Sequence, residues 1–230
     1  MKRCLTTVAA VATLIAATAS AAPDLSGIWM LRGVARERDL EMTERALELQ
    51  AEYDLLEDDP SLRCEPASTS RVWANPNVRI AFDQQPDHIL ISYEFFDLRR
   101  TVPLGDESVL PQTPSTRNVD GTLFAKMGSS FGYYKGDRLV IETRNHEAGY
   151  VRTSSGVPQS EHTVTTEVLW LDGDILRLEQ TYVDDTLFVV PFVIDYEFVR
   201  LDETYLPLYE CADADYDWFE KLNAPGEPKP

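Results

Sequence analysis

A chain of 230 residues, 43% of them apolar, is long enough for one domain of fair size with a substantial core. Its formal net charge of −18 repels phosphate backbones and anionic lipid heads, which argues against a nucleic-acid partner. No stretch beyond the N-terminus approaches the ~20 apolar residues that a membrane helix needs, so no membrane span is expected.

The elements follow in chain order. Lys2 and Arg3 precede an uncharged, largely apolar run from Leu5 to Ala17, and Ala19-Ser20-Ala21 supplies a small-residue cleavage site. Residues 1–21 therefore read as a signal peptide, and the protein as exported, periplasmic or secreted. Leu25 to Leu31 reads as a first strand. Residues 40–56 read as the one helix, with Ala46, Leu49, Tyr53 and Leu56 on one stripe. Pro60 closes it, because the residue before a proline avoids the helical region. A loop with Cys64 and Pro66 follows.

Beyond that loop the pattern is one of strands. They fall at 78–82, 88–95, 99–104, 131–134, 138–143, 162–171, 174–183 and 192–201. Residues 105–126 carry turn formers and read as a long excursion over the surface or the barrel mouth. Asp172-Gly173 is a strong hairpin signal. Eight or more strands with hairpin connections predict a mainly β fold, an antiparallel β-barrel with one N-terminal helix; a β-sandwich is the alternative. Residues 22–222 form this single domain, and 223–230 a flexible tail.

Removal of the signal leaves two cysteines, Cys64 and Cys211. An even count in an exported protein predicts a disulfide between them. No H-x-H, H-E-x-x-H or C-x-x-C spacing occurs, and Asp213, Asp215 and Asp217 lack the glycine and glutamate of a calcium loop. No metal or cofactor is expected.

Gly128-Ser129-Ser130-Phe131-Gly132 satisfies the G-x-S-x-G pattern of a nucleophile elbow. That motif requires a helix after the serine. Here Tyr133-Tyr134 and a Lys135-Gly136-Asp137-Arg138 turn follow, so Ser130 reads as a strand-entry residue. The carboxylates Glu94, Glu142 and Glu167 lie on or beside strands, and any that faced inward among aromatics would have a raised pKa. His146 at a strand end is the candidate general base. Trp29, Tyr133, Trp170 and Tyr182 are candidate ligand-lining aromatics. Two functions follow: a barrel holding a small apolar molecule, or a cofactor-independent isomerase, hydratase or cyclase using a buried carboxylate. Oligomeric state is not legible.

The segment from Gly128 to Thr143, GSSFGYYKGDRLVIET, resembles the G-x-S-x-G-x-W-E-G-D-T-L-V-V-D-T signature of a largely uncharacterised family of exported bacterial proteins. Asp59 to Pro66, Ser92-Tyr93-Glu94 with Arg99-Arg100, Ser160-Glu161 with Thr166-Glu167, and Tyr209-Glu210-Cys211 resemble further elements of it in order. The resemblance covers roughly residues 25–216 and implies a lipocalin- or calycin-like barrel with both cysteines at family positions. Tyr134-Lys135 replaces the family's Trp-Glu, and Gln159 stands where the family has a histidine.

Overall fold

The computed structural model describes residues 22–212. The predicted signal peptide, the tail and the Asp213–Asp217 run lie outside the described residues. Within them, alternation of buried and exposed side chains sets the architecture. In the segment Ile175–Val183, for example, Leu176, Leu178, Gln180 and Tyr182 are buried while Arg177, Glu179 and Thr181 are half-exposed.

The strands are β1 (Gly27–Leu31), β2 (Arg36–Arg38), β3 (Arg79–Gln84), β4 (His88–Tyr93), β5 (Leu98–Pro103), β6 (Thr116–Arg117), β7 (Ser129–Lys135), β8 (Arg138–Arg144), β9 (Gly149–Arg152), β10 (Val157–Gln159), β11 (Val164–Asp172), β12 (Ile175–Val183) and β13 (Phe192–Leu201). One antiparallel sheet runs in the order β6-β5-β4-β3-β1-β13-β12-β11-β8-β7, and β2 extends β1 along the other half of β13. β9 and β10 form a separate ribbon.

The two ends of that order meet, which decides for a barrel over a sandwich. Leu104 bridges Gly132 in parallel, and the Gly105 amide donates to the Gly132 carbonyl at 2.9 Å. Further along, Ser115 sits between the two edges: Thr101 N donates to its carbonyl at 3.0 Å, and its own amide donates to the Gly128 carbonyl at 2.9 Å. Closure of this kind leaves little free edge. It also explains Gly132. A Cβ there would stand 3.1 Å from Val102 Cγ1 across the seam and 3.2 Å from the Val140 carbonyl on the other side, in β8. The G-x-S-x-G run is therefore a strand leading into the β7–β8 hairpin.

The hairpin turns β3–β4, β7–β8 and β11–β12 lie at one end of the barrel, here the turn end. The last joins Asp172 to Ile175 through Gly173, which takes φ +61°. At this end Arg200 lays its guanidinium over the Trp29 ring, 4.2 Å from the centroid.

The opposite end carries three short helices, α1 (Glu44–Glu52), α2 (Leu55–Asp58) and α3 (Thr69–Trp73). The single helix predicted over 40–56 is divided. Thr43 caps α1, Tyr53 takes an extended conformation (ψ 127°), and Asp54 then caps α2 by accepting from Leu56 N. Leu56 falls after the break and is exposed. Helix α3 was unforeseen. It enters the barrel and seats Trp73, fully buried, against Phe82, Tyr93 and Phe198, with ring centroids 6.1, 5.2 and 5.6 Å away. Full burial of such a side chain contributes on the order of 3 kcal/mol, and the aromatic contacts add to it.

After Leu201 the chain turns back over the outside of the sheet. Glu203 pairs with Arg79. Tyr209 packs edge-on against Phe95 and Phe96, centroids 5.1 and 5.6 Å away, at the helix end. Cys211 then closes a disulfide with Cys64, S–S 2.07 Å, across 147 positions of sequence. Residues 202–211 thus form a strap from the turn end to the helix end.

Candidate functional site

The barrel interior holds an ion pair with no exposed surface. Arg100 on β5 and Glu167 on β11 meet through Nη2–Oε2 at 2.6 Å and Nη1–Oε1 at 3.1 Å, and both side chains are 0% exposed. Glu167 Oε1 also accepts from Trp73 Nε1 at 2.5 Å and from Gln180 Nε2 at 3.3 Å. Arg100 Nη2 donates to Ser130 Oγ at 2.9 Å and to Thr143 Oγ1 at 2.7 Å. Burial alone opposes the Arg100 charge, but the adjacent Glu167 carboxylate outweighs it and holds the guanidinium pKa above its ordinary value.

A second layer ties α3 to the wall. Tyr182 OH accepts from Ser70 N at 3.0 Å and lies 3.1 Å from Thr69 Oγ1. Ser70 Oγ meets Tyr196 OH at 2.8 Å, and Gln180 Nε2 donates to Thr69 Oγ1 at 2.8 Å. Burial raises the phenols of Tyr182 and Tyr196, which stay neutral donors. The network fixes the plug. Glu167 has an Arg100 donor on each carboxylate oxygen and no exposed surface, so the carboxylate is held as the partner of a buried cation.

His146 is 3% exposed, with Nδ1 3.2 Å from the Lys126 carbonyl and Nε2 3.3 Å from Thr165 Oγ1. Gln159 Nε2 donates to the same Lys126 carbonyl at 3.0 Å. Gly128, at φ +67°, is needed here, because a Cβ would stand 2.9 Å from His146 Nδ1 and 2.6 Å from the Arg144 carbonyl. Burial, joined by the positive charge of Arg100, pushes the imidazole pKa down to about 4; Glu167 and the Lys126 carbonyl act the other way. The folded state therefore favours neutral His146. That contribution is complete above the ordinary pKa of about 6.5 and is lost as pH falls from there to about 4. Wild type is expected to lose about 3 kcal/mol more stability over this window than His146→Gln, as urea melts at stepped pH will show.

The other sequence-predicted residues scatter. Glu94 sits at the helix end, where it accepts from Arg79 N at 2.7 Å and pairs with the Arg79 guanidinium at 3.2 Å. Glu142 and Tyr133 come together on the outer face of β7–β8, 3.3 Å apart, with Arg144 at 3.1 Å from Glu142. They line a cleft of about 440 Å³ with Phe131 and Glu107. Trp170 also faces outward, under the Arg138 guanidinium at 4.5 Å, and borders a cleft of about 710 Å³ beside arginines and acids of β2, β12 and β13. Trp29 and Tyr182 are buried inside. Sequence reading named Glu167, but it did not pair it with Arg100 and missed Trp73, Ser70 and Gln180. The Ser68-Thr69-Ser70 run ahead of Val72-Trp73 was the available signal: Ser68 Oγ caps α3 by accepting from Arg71 N at 3.1 Å.

A third cleft, of about 510 Å³, lies beneath the strap. It is lined by Ile28, Ala81, Ser92 and Arg99 of the outer sheet face and by residues 203–206 above. Ile28 faces outward, yet it is only 5% exposed because the strap covers it. Leu206 is half-buried, while Tyr205 stands 73% exposed at the rim.

No protein-family model and no curated protein matches this chain. Among solved structures it is similar to a single-site mutant of the fluorescent protein UnaG, at 15% identity and a TM-score of 0.40 over 77% of this chain and 96% of that one. It is similar also to lipid binding protein 8 of Caenorhabditis elegans in its apo form, at 12% identity and a TM-score of 0.37 over 76% and 94%. At TM-scores of that size neither likeness says what this chain binds. Among the described residues, no helix is long and apolar enough to cross a membrane, and no group of three or more His, Cys, Asp or Glu is placed to hold a metal ion.

Proposed function

We propose that this protein is an exported barrel that binds a small, largely apolar molecule, and that it does so beneath the strap, outside the barrel. The carrying observation is an open cleft of about 510 Å³ between the strap and the outer sheet face at Ile28, set against an interior whose centre is filled by Trp73. The volume falls within the range of small-molecule sites. The N-terminal signal pattern, the Cys64–Cys211 disulfide and the resemblance to exported bacterial proteins support export. The acid–base alternative is less well supported, because Glu167 is held by Arg100 and Trp73, and Glu94 and Glu142 are paired with arginines.

The test is titration with N-phenyl-1-naphthylamine, a neutral apolar probe that brightens when shielded from water. Saturable one-to-one binding is expected. Ser92→Trp, which fills the cleft from a half-exposed strand position, should weaken it about tenfold or more, with circular dichroism confirming the fold. Absence of saturable binding, or equal binding by Ser92→Trp, would overturn the reading.

A further inference from the structure

About half of the cationic side chains on the strands are engaged by carboxylates. Arg38, Arg79, Arg144 and Arg177 each reach two carboxylates, and Arg32 and Arg152 reach one each. In a chain with 39 acidic residues against 21 basic ones, that is the expected state. Among the strand arginines without a carboxylate partner, which include Arg36, Arg138 and Arg200, two are neighbours: Arg99 and Arg117. They stand directly opposite one another in the β5–β6 register, and neither has a carboxylate within 4.0 Å among the described residues. Like charges directly opposite across a ladder repel, so this pairing costs stability.

Arg99 is half-buried and lines the cleft beneath the strap. Its Nη1 donates to the Leu98 carbonyl at 2.8 Å, which holds the guanidinium in place and leaves its other N–H groups free of protein partners among the described residues. The acid in the same cleft, Glu203, is engaged by Arg79. The cleft thus pairs an apolar floor at Ile28 and Ala81, and an apolar cover at Leu206, with one unbalanced guanidinium and a second beside it.

Resting on the reading of this cleft as the binding site, we infer that its ligand is an anionic amphiphile: an apolar body beneath the strap and a single carboxylate head on Arg99, with Arg117 adding charge at the rim. A planar guanidinium accepts a carboxylate through two parallel hydrogen bonds, and the head would also relieve the Arg99–Arg117 repulsion.

The experiment compares octanoate, octanol and acetate by calorimetric titration of the full chain, wild type and the variants Arg99→Gln, Arg117→Gln and Ser92→Trp. Octanoate should bind wild type about tenfold or more tightly than octanol, and Arg99→Gln should remove that preference, so that the two probes bind the variant alike. Arg117→Gln should weaken octanoate less and flatten its salt dependence. Equal binding of octanoate and octanol, both lost in Ser92→Trp, would overturn the anionic head while leaving the apolar cleft standing. An octanoate affinity indifferent to Arg99→Gln would do the same. Acetate binding as tightly as octanoate, or no binding of either eight-carbon probe, would overturn both readings.

Discussion

Glu167→Gln will lower the stability of the fold by about 3–5 kcal/mol, read as a shift in the urea midpoint. The substitution keeps an oxygen for Trp73 Nε1 but leaves the Arg100 guanidinium charged and 0% exposed, without its countercharge. Against the 5–15 kcal/mol that domains of this kind possess, that is a large fraction. The paired replacement Arg100→Met with Glu167→Met removes both charges and should cost much less than the single change, because burying two ions in low dielectric opposes folding to begin with. A double variant as unstable as Glu167→Gln would show that the hydrogen bonds to Trp73, Ser130 and Thr143 matter more than the charges.

Removal of the disulfide in Cys64→Ser with Cys211→Ser is the other large effect. The bond closes a loop across 147 positions, for which the chain-entropy estimate is about 5 kcal/mol as an upper figure. The wild-type melt in reductant should fall to the variant's midpoint, while the melt without reductant should stay above it. The strap should loosen before the barrel does, since Tyr209 against Phe95 and Phe96 is its main remaining anchor at the helix end. Hydrogen exchange should therefore rise first in residues 202–211 and around Ile28. Equal protection with and without the bond would mean that the strap is held by its side chains alone.

The long strands were legible because their alternation is long enough to read. β13 lies where the sequence places it, and the Asp172-Gly173 turn fixes the β11–β12 register. The short pieces were not. β2, β6 and β10 have three, two and three residues, and α3 has five, too few to show a period. β11 is more instructive. Its more apolar face, with Val164, Val168 and Trp170, points outward, while the face that enters the barrel carries Thr165, Glu167 and Leu169. A period-2 reading favours the wrong side because the interior at this level is a polar network, and each of its members is tolerable only in the company of the others. Their partners lie 67 and 94 positions away, at Arg100 and Trp73, where no local pattern points to them.

Those separations also bear on how the molecule is made. Trp73 is ringed by Phe82 and Tyr93 from early strands and by Phe198 from the last one. The wall cannot be completed first and filled afterwards, since the plug is short, fully buried and hydrogen-bonded to β11. Trp73 must be in place before the wall around it is complete, and β13, paired with β1 and β12, is part of that wall. Non-local pairing of this kind makes for slow folding, with the burial of the indole tied to the pairing of strands far apart in sequence.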